Sequence, residues 1–152
     1  MNIKGEKEMT APRDVVWQAL NDPEVLQRCI PGCSSLEQLG PNELGATVSL
    51  AIGPVKAKFS GKVRLEDLVA PESYRIEGEG QGGIAGFARG SAKVRLVETE
   101  RGTLLEYEAD STVGGKIAQL GARLIESTAR KLSDQFFSKF VAIVEEGRGE
   151  PS

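Results

Sequence analysis

From residue 33 to residue 113 apolar side chains recur at every second position, and from 116 to 145 at every third or fourth. This single switch of period limits the fold more than any other feature. The first stretch is cut by short breakers: Gly40-Pro41-Asn42, Gly53-Pro54, Ala70-Pro71-Glu72, Gly82-Gly83 and Arg101-Gly102. Gaps this short join neighbouring antiparallel strands, so the spacing predicts a meander over 34–39, 43–52, 55–68, 73–80, 87–98 and 103–113. Residues 2–9 alternate in the same way and add a strand. Between them, Thr10-Ala11-Pro12 can start a helix to about Leu20, with Thr10 as its cap. Asn21-Asp22-Pro23-Glu24 starts a second, ending at Ile30-Pro31-Gly32.

The strands have two unlike faces. Val55, Ala57, Phe59, Gly61, Val63 and Leu65 alternate with Lys56, Lys58, Ser60, Lys62, Arg64 and Glu66. Segments 73–80, 87–98 and 103–113 repeat the pattern with Glu77 and Glu79, then Lys93 and Arg95, then Glu106, Glu108 and Asp110 on the polar side. Alternating sign on neighbouring strands predicts cross-strand pairs, so the Lys56–Arg64 run reads as one side of those pairs rather than as a nucleic-acid patch. An apolar sheet face must be covered. The segment 116–145, with Ile117, Leu120, Leu124, Thr128, Leu132, Phe136, Phe140 and Ile143 on one stripe, is the only cover long enough. The fold class is therefore α+β: a seven-stranded antiparallel sheet wrapped round a long C-terminal helix, with two short helices between strands one and two. This order resembles the helix-grip fold of START-like and birch-pollen-allergen-like domains. A single domain over 1–146 is expected, with 147–152 a flexible polar tail.

Composition narrows the chemistry. The 152 residues include no histidine, which excludes imidazole-based triads and histidine metal sites. The pI near 5.2 argues against a nucleic-acid partner. Cys29 and Cys33 are too few for a disulfide framework and read as small reduced side chains. Neither a signal peptide nor an apolar run of membrane-spanning length is visible, so a cytoplasmic location is expected. The carboxylates fall on the outer face, which leaves no evident acid–base set, and no enzymatic activity is expected. Gly78-Glu79-Gly80-Gln81-Gly82-Gly83 matches G-x-G-x-x-G, but a strand rather than a helix follows, so it is no nucleotide loop. Gly86-Phe87-Ala88-Arg89-Gly90 lacks the apolar surroundings of a membrane dimer motif.

The 18 glycines carry a positive signal. Gly61, Gly78, Gly80, Gly90, Ala57, Ala88, Ala92 and Ala109 stand on the inner face of adjacent strands. Either they permit strong curvature and a closer helix, or they leave a cavity under it. Their clustering favours the cavity. Its expected lining is Trp17, Phe59, Val63, Ile76, Gly78, Phe87, Val94, Leu105, Tyr107, Leu120, Leu124 and Phe136, with Tyr107 donating a hydrogen bond to a ligand carbonyl. No catalytic and no metal-binding residues are expected.

Seven segments carry a family resemblance. They are Val16-Trp17-Gln18-Ala19-Leu20, Asn21-Asp22-Pro23-Glu24-Val25-Leu26, Cys29-Ile30-Pro31-Gly32-Cys33, Ile52-Gly53-Pro54-Val55-Lys56, Phe59-Ser60-Gly61, Gly78-Glu79-Gly80 with Gly86-Phe87-Ala88-Arg89-Gly90, and Val113-Gly114-Gly115-Lys116 onward to Leu124. Through them the chain resembles the family of CoxG, an accessory subunit of carbon monoxide dehydrogenase, within the SRPBCC superfamily. The resemblance implies a helix-grip fold with a hydrophobic cavity. It also implies an accessory role beside molybdenum-containing CO dehydrogenases or related hydroxylases: recruiting the enzyme to the inner face of the cell membrane and binding a quinone-like lipid, with no tightly bound cofactor. Longer members add a tail ending in a hydrophobic anchor, and this sequence stops at Ser152. Two other roles stay open, a small polyketide-cyclase-like enzyme using Tyr107 and an assembly factor for a molybdenum enzyme.

Overall fold

The computed structural model describes residues 1–149. Its elements are β1 (Asn2–Met9), α1 (Arg13–Leu20), α2 (Pro23–Cys29), β2 (Cys33–Gly40), β3 (Glu43–Ile52), β4 (Val55–Val69), β5 (Ser73–Gln81), β6 (Phe87–Glu98), β7 (Thr103–Gly114) and α3 (Ala122–Gly149). Short 3-10 turns occupy Gly83–Ala85 and Lys116–Leu120. The seven strands form one antiparallel sheet in the order β1-β7-β6-β5-β4-β3-β2. It is a meander whose first strand returns to close on the last, pairing Ile3 with Ala109 and Met9 with Thr103. The strands and both short helices lie where the periodicity puts them, to within a residue or two.

Three local expectations need correction. Thr10 does not cap α1. Pro12 takes the cap position without a side-chain bond, and Thr10 instead donates its N–H and hydroxyl to the Glu145 carboxylate on α3 at 2.8 and 2.6 Å. The C-terminal helix is not continuous from 116: Gly121, at φ +96°, separates the Lys116–Leu120 turn from α3. A backbone in that region breaks the helical hydrogen-bond ladder, and only glycine adopts it without strain. Finally, the tail expected over 147–152 begins inside α3, which runs to Gly149, while 150–152 lie outside the described residues. The α2 start is as expected, with the Asp22 carboxylate accepting from the Glu24 N–H at 3.0 Å.

The outer face carries the cross-strand pairs. Arg64 reaches Glu77 at 3.4 Å, Lys62 reaches Glu43 at 3.6 Å, and Arg75 bridges Glu66 and Glu77. Exposed pairs of this kind contribute only about 0.2–1 kcal/mol each. The stability sits on the other face. There Leu65, Tyr74, Val94, Leu96 and Leu105 pack against Phe137, Phe140 and Val144 of α3, with Val16 and Leu20 of α1 closing the side. Lys7 on the edge strand ties to Asp134 of α3 at 3.1 Å. A second, smaller cluster of Val55, Phe59, Ala85 and Ile117 lies toward the opposite end.

Candidate functional site

The gap between sheet and helix is filled according to the size of what faces what. Along the C-terminal half of α3, aromatic and branched side chains meet branched side chains and the gap is closed. Along its N-terminal half the opposing groups are small. Gly80 pairs with Ala88, and Ala88 with Val113, across β5, β6 and β7. Opposite them α3 offers Ile125, Thr128, Ala129 and Leu132. The result is a partly open cavity of about 290 Å³ lined by these residues with Met1, Val48, Leu50, Ile52, Phe59, Ser111 and Ile117.

Its walls are hydrocarbon. No lining residue has an ionisable side chain, and the only side-chain polar atoms facing the space are the Ser111 and Thr128 hydroxyls. Among the described residues neither hydroxyl has a hydrogen-bond partner in the protein, so both can donate to a ligand oxygen. No group of three metal-ligating side chains occurs among the described residues. A groove of about 360 Å³ crosses the outer face between Lys62, Arg64, Glu77, Glu79, Arg89 and Asp110. It mixes both signs of charge and includes the Arg64–Glu77 pair, so it has the character of a solvated surface.

The twelve residues expected at the site are divided by the structure. Phe59 lines the cavity. Leu120 packs in the small cluster beside it, and the Leu124 side chain lies over Gly53 in the β3–β4 turn. Val63 and Gly78 face each other on β4 and β5, one row from the lining. Trp17, Ile76, Val94, Leu105, Tyr107 and Phe136 belong to the solid core instead. Trp17 sets its ring edge-on to Tyr74, with centroids 5.4 Å apart. Phe136 does the same to Phe137 at 4.9 Å. The Tyr107 ring stacks on Phe137 at 4.1 Å and crosses the bare backbone of Gly5, so its hydroxyl is not in the cavity. Phe87 is on the outer face, over Gly114 and with the Arg89 guanidinium 5.1 Å above its ring. Its parity with Arg89 and Ser91 already required that.

The inner-face glycines divide in the same way. A methyl at Gly61 would collide with the Glu79 carbonyl, so that glycine serves close strand approach. At Gly78 and Gly80 a methyl would meet nothing nearer than 3.8 and 3.5 Å, so these two leave space. The lining residues on α3 escaped sequence reasoning, although Thr128 and Ala129, two small residues within a helix of bulky apolar positions, were the signal.

The buried titratable groups lie away from the cavity and are held neutral. Burial pushes the Cys29 thiol up to about 11 against the nearby Arg28 and Lys139 charges. It raises Cys33 and Tyr74 as well. Both cysteines are free.

This combination of grip, helix and apolar hollow agrees with the comparisons. The family model of the CoxG subunit of carbon monoxide dehydrogenase matches residues 5–144. The chain belongs to the CoxG family. A conserved protein from Geobacillus kaustophilus is 31% identical, with 96% of each chain covered and a TM-score of 0.89. A Thermus thermophilus protein is 14% identical, at TM-score 0.72 over 97% of this chain and 99% of that one. Ara h 8.0201 is 18% identical, at TM-score 0.63 over 96% and 98%. The last two establish the shared helix-grip fold of this CoxG domain and nothing more. Among curated proteins none matches. Among the described residues no helix is long and apolar enough to cross a membrane.

Proposed function

We propose that this CoxG-family protein is a non-catalytic carrier that holds a quinone-like lipid in the cavity. In this role it is an accessory of a CO dehydrogenase or related molybdenum hydroxylase, linking that enzyme to the inner face of the cell membrane. The observation that carries the reading is the hollow itself: apolar walls, two hydroxyl donors and no ionisable side chain. A cavity of ~150 Å³ lined by apolar groups is enough to bind benzene. The hollow, at about 290 Å³, has room for roughly two groups of that size. That fits a quinone ring with the first part of its isoprenoid chain. Ser111 and Thr128 would hold the ring through a carbonyl oxygen, and the remaining tail would lie outside. With nothing in the space to accept or give a proton at neutral pH, the protein's own part is to bind and orient. The enzyme partner follows from the family description, in which the protein is a subunit of carbon monoxide dehydrogenase.

Titration of the purified protein with a short-chain isoprenoid quinone, followed by intrinsic fluorescence and native mass spectrometry, tests this. A saturable 1:1 complex is expected. A protein that carries no lipid from its host and shows no saturable binding overturns the proposal.

A further inference from the structure

Three connections meet at the end of the molecule that holds the cavity. They are the β3–β4 turn, the β5–β6 connection and the β7–α3 connection. Leu124 lies over Gly53, and the Gly86 backbone packs on Gly114 and Gly115. Val55, Phe59, Ala85 and Ile117 form one cluster beneath them. Ile52 and Ile117 carry the cavity wall up to this end.

The charges at this end are one-sided. The protein is acidic, with 22 Asp and Glu against 19 Lys and Arg. Yet segments 49–60, 80–88 and 113–125 contain no acidic residue at all, while they hold Lys56, Lys58, Lys116 and Arg123. All four cations are exposed. Among the described residues none of them forms a salt bridge, although the outer-face cations further along the sheet do. At the tip of the β5–β6 connection Ile84 is 89% exposed, the most exposed of the large apolar side chains. It is held out by Gly83, at φ +61°, and followed by Gly86, at φ +109°. Pro54, Ala118 and Ala122 are the exposed apolar neighbours on the other two connections.

We infer that this end docks on an anionic lipid bilayer, with Ile84 inserted among the headgroups and Lys56, Lys58, Lys116 and Arg123 on the lipid phosphates. A protruding isoleucine ringed by unpaired cations suits an interface that is apolar at depth and negative at its surface. A folded protein partner would instead call for an extended apolar core with several large anchors, and this surface has one. The inference rests on the carrier reading and adds the place where a lipid ligand passes between bilayer and cavity.

Co-sedimentation tests it, using vesicles of phosphatidylcholine alone and with about one-third phosphatidylglycerol. The protein is expected on the mixed vesicles at low salt, on the neutral ones at least tenfold less, and in solution at high salt as screening sets in. Ile84→Asp and the double change Lys56→Glu/Lys58→Glu should each lower partitioning about tenfold or more. Leu39→Asp, at a 52% exposed leucine next to the β2–β3 turn, should leave partitioning unchanged. An Ile84→Trp protein should show a blue-shifted emission on the mixed vesicles. Equal partitioning of the Ile84 and lysine variants, or no partitioning at all, overturns the inference. Quinone titration of the same variants without vesicles separates the two readings: retained quinone binding with no vesicle binding rejects the docking surface and leaves the carrier role standing.

Discussion

Ala129→Phe puts a phenyl ring into the cavity from the helix side, and its consequences have opposite signs for stability and for binding. Ala129 is half-buried and its methyl faces Gly80 and Ala88 across the hollow. Burying a ring where a methyl stood is worth about 1.5–3 kcal/mol by area. Phenylalanine costs about 0.5 kcal/mol in helix propensity relative to alanine. Fixing its rotamer costs about 0.5–1 kcal/mol more. The net is a stabilisation of about 1 kcal/mol, or roughly 2–4 °C in Tm for a chain of this size. The same ring takes up about half of the space a quinone needs, so affinity should fall at least tenfold. Differential scanning calorimetry and quinone titration on one protein sample read both quantities. A variant that melts higher and no longer binds places the ligand here. Unchanged affinity at raised Tm would refute the assignment of the cavity, because the ring cannot be buried and the ligand still fit. A variant that melts several degrees lower would refute the emptiness of the space.

Further outcomes follow from the same geometry. Ser111→Ala and Thr128→Val should each weaken quinone binding by about three- to tenfold, the worth of a hydrogen bond of roughly 0.5–1.5 kcal/mol, and leave binding of a hydrocarbon probe unchanged in the same titration. Tyr107→Phe should leave quinone affinity within twofold, since the hydroxyl lies over Gly5 away from the hollow; a tenfold loss would return Tyr107 to the site. Phe137→Ala should cost about 3–5 kcal/mol in chemical denaturation, because the ring stacks on Tyr107 in the closed half of the gap. Alkaline pH should destabilise the fold. Burial raises the Cys29 thiol from its ordinary 9.0 to about 11, so the folded state keeps that proton longer than the unfolded one. Its contribution is full below about pH 9 and lost as pH rises through 11, and Cys29→Ala should flatten that limb of the pH–stability curve.

Much of the fold was readable because the decisive signals are local. Strand limits follow from period two and from glycine–proline breakers, and the pairing of Arg64 with Glu77 follows from the charges that alternation turns outward. The site was readable only in part. Small residues at Gly80 and Ala88 announce room on the sheet. Which stretch of the helix stands opposite them depends on how the helix crosses the sheet, and that is set by the remote anchoring of α3 through Phe140, Asp134 and Glu145. The aromatic residues named as lining were chosen for size, and size is what draws a side chain into the closed half. Gly121 reads in sequence as a tolerable interruption of a helical stripe. Only its dihedral angle shows that the helix starts after it.

The hollow also bears on why such a chain would keep it. An apolar void costs about 24 cal/mol per Å³ in a protein that cannot collapse around it. A dry space of about 290 Å³ would then cost about 7 kcal/mol, comparable with the entire stability of an ordinary domain, about 5–15 kcal/mol. Water can relieve only the open part, because a buried water needs two or more polar partners and Ser111 and Thr128 are the only side chains that offer any. An apolar occupant relieves the whole of it. Ligand binding and folding are therefore linked through the same volume: a quinone present at a hundred times its Kd should stabilise the protein by about 2.7 kcal/mol. Protein stripped of lipid should melt about 5–10 °C below the loaded form. Equal melting temperatures for the stripped and the loaded protein would mean that the cavity is not where the ligand binds.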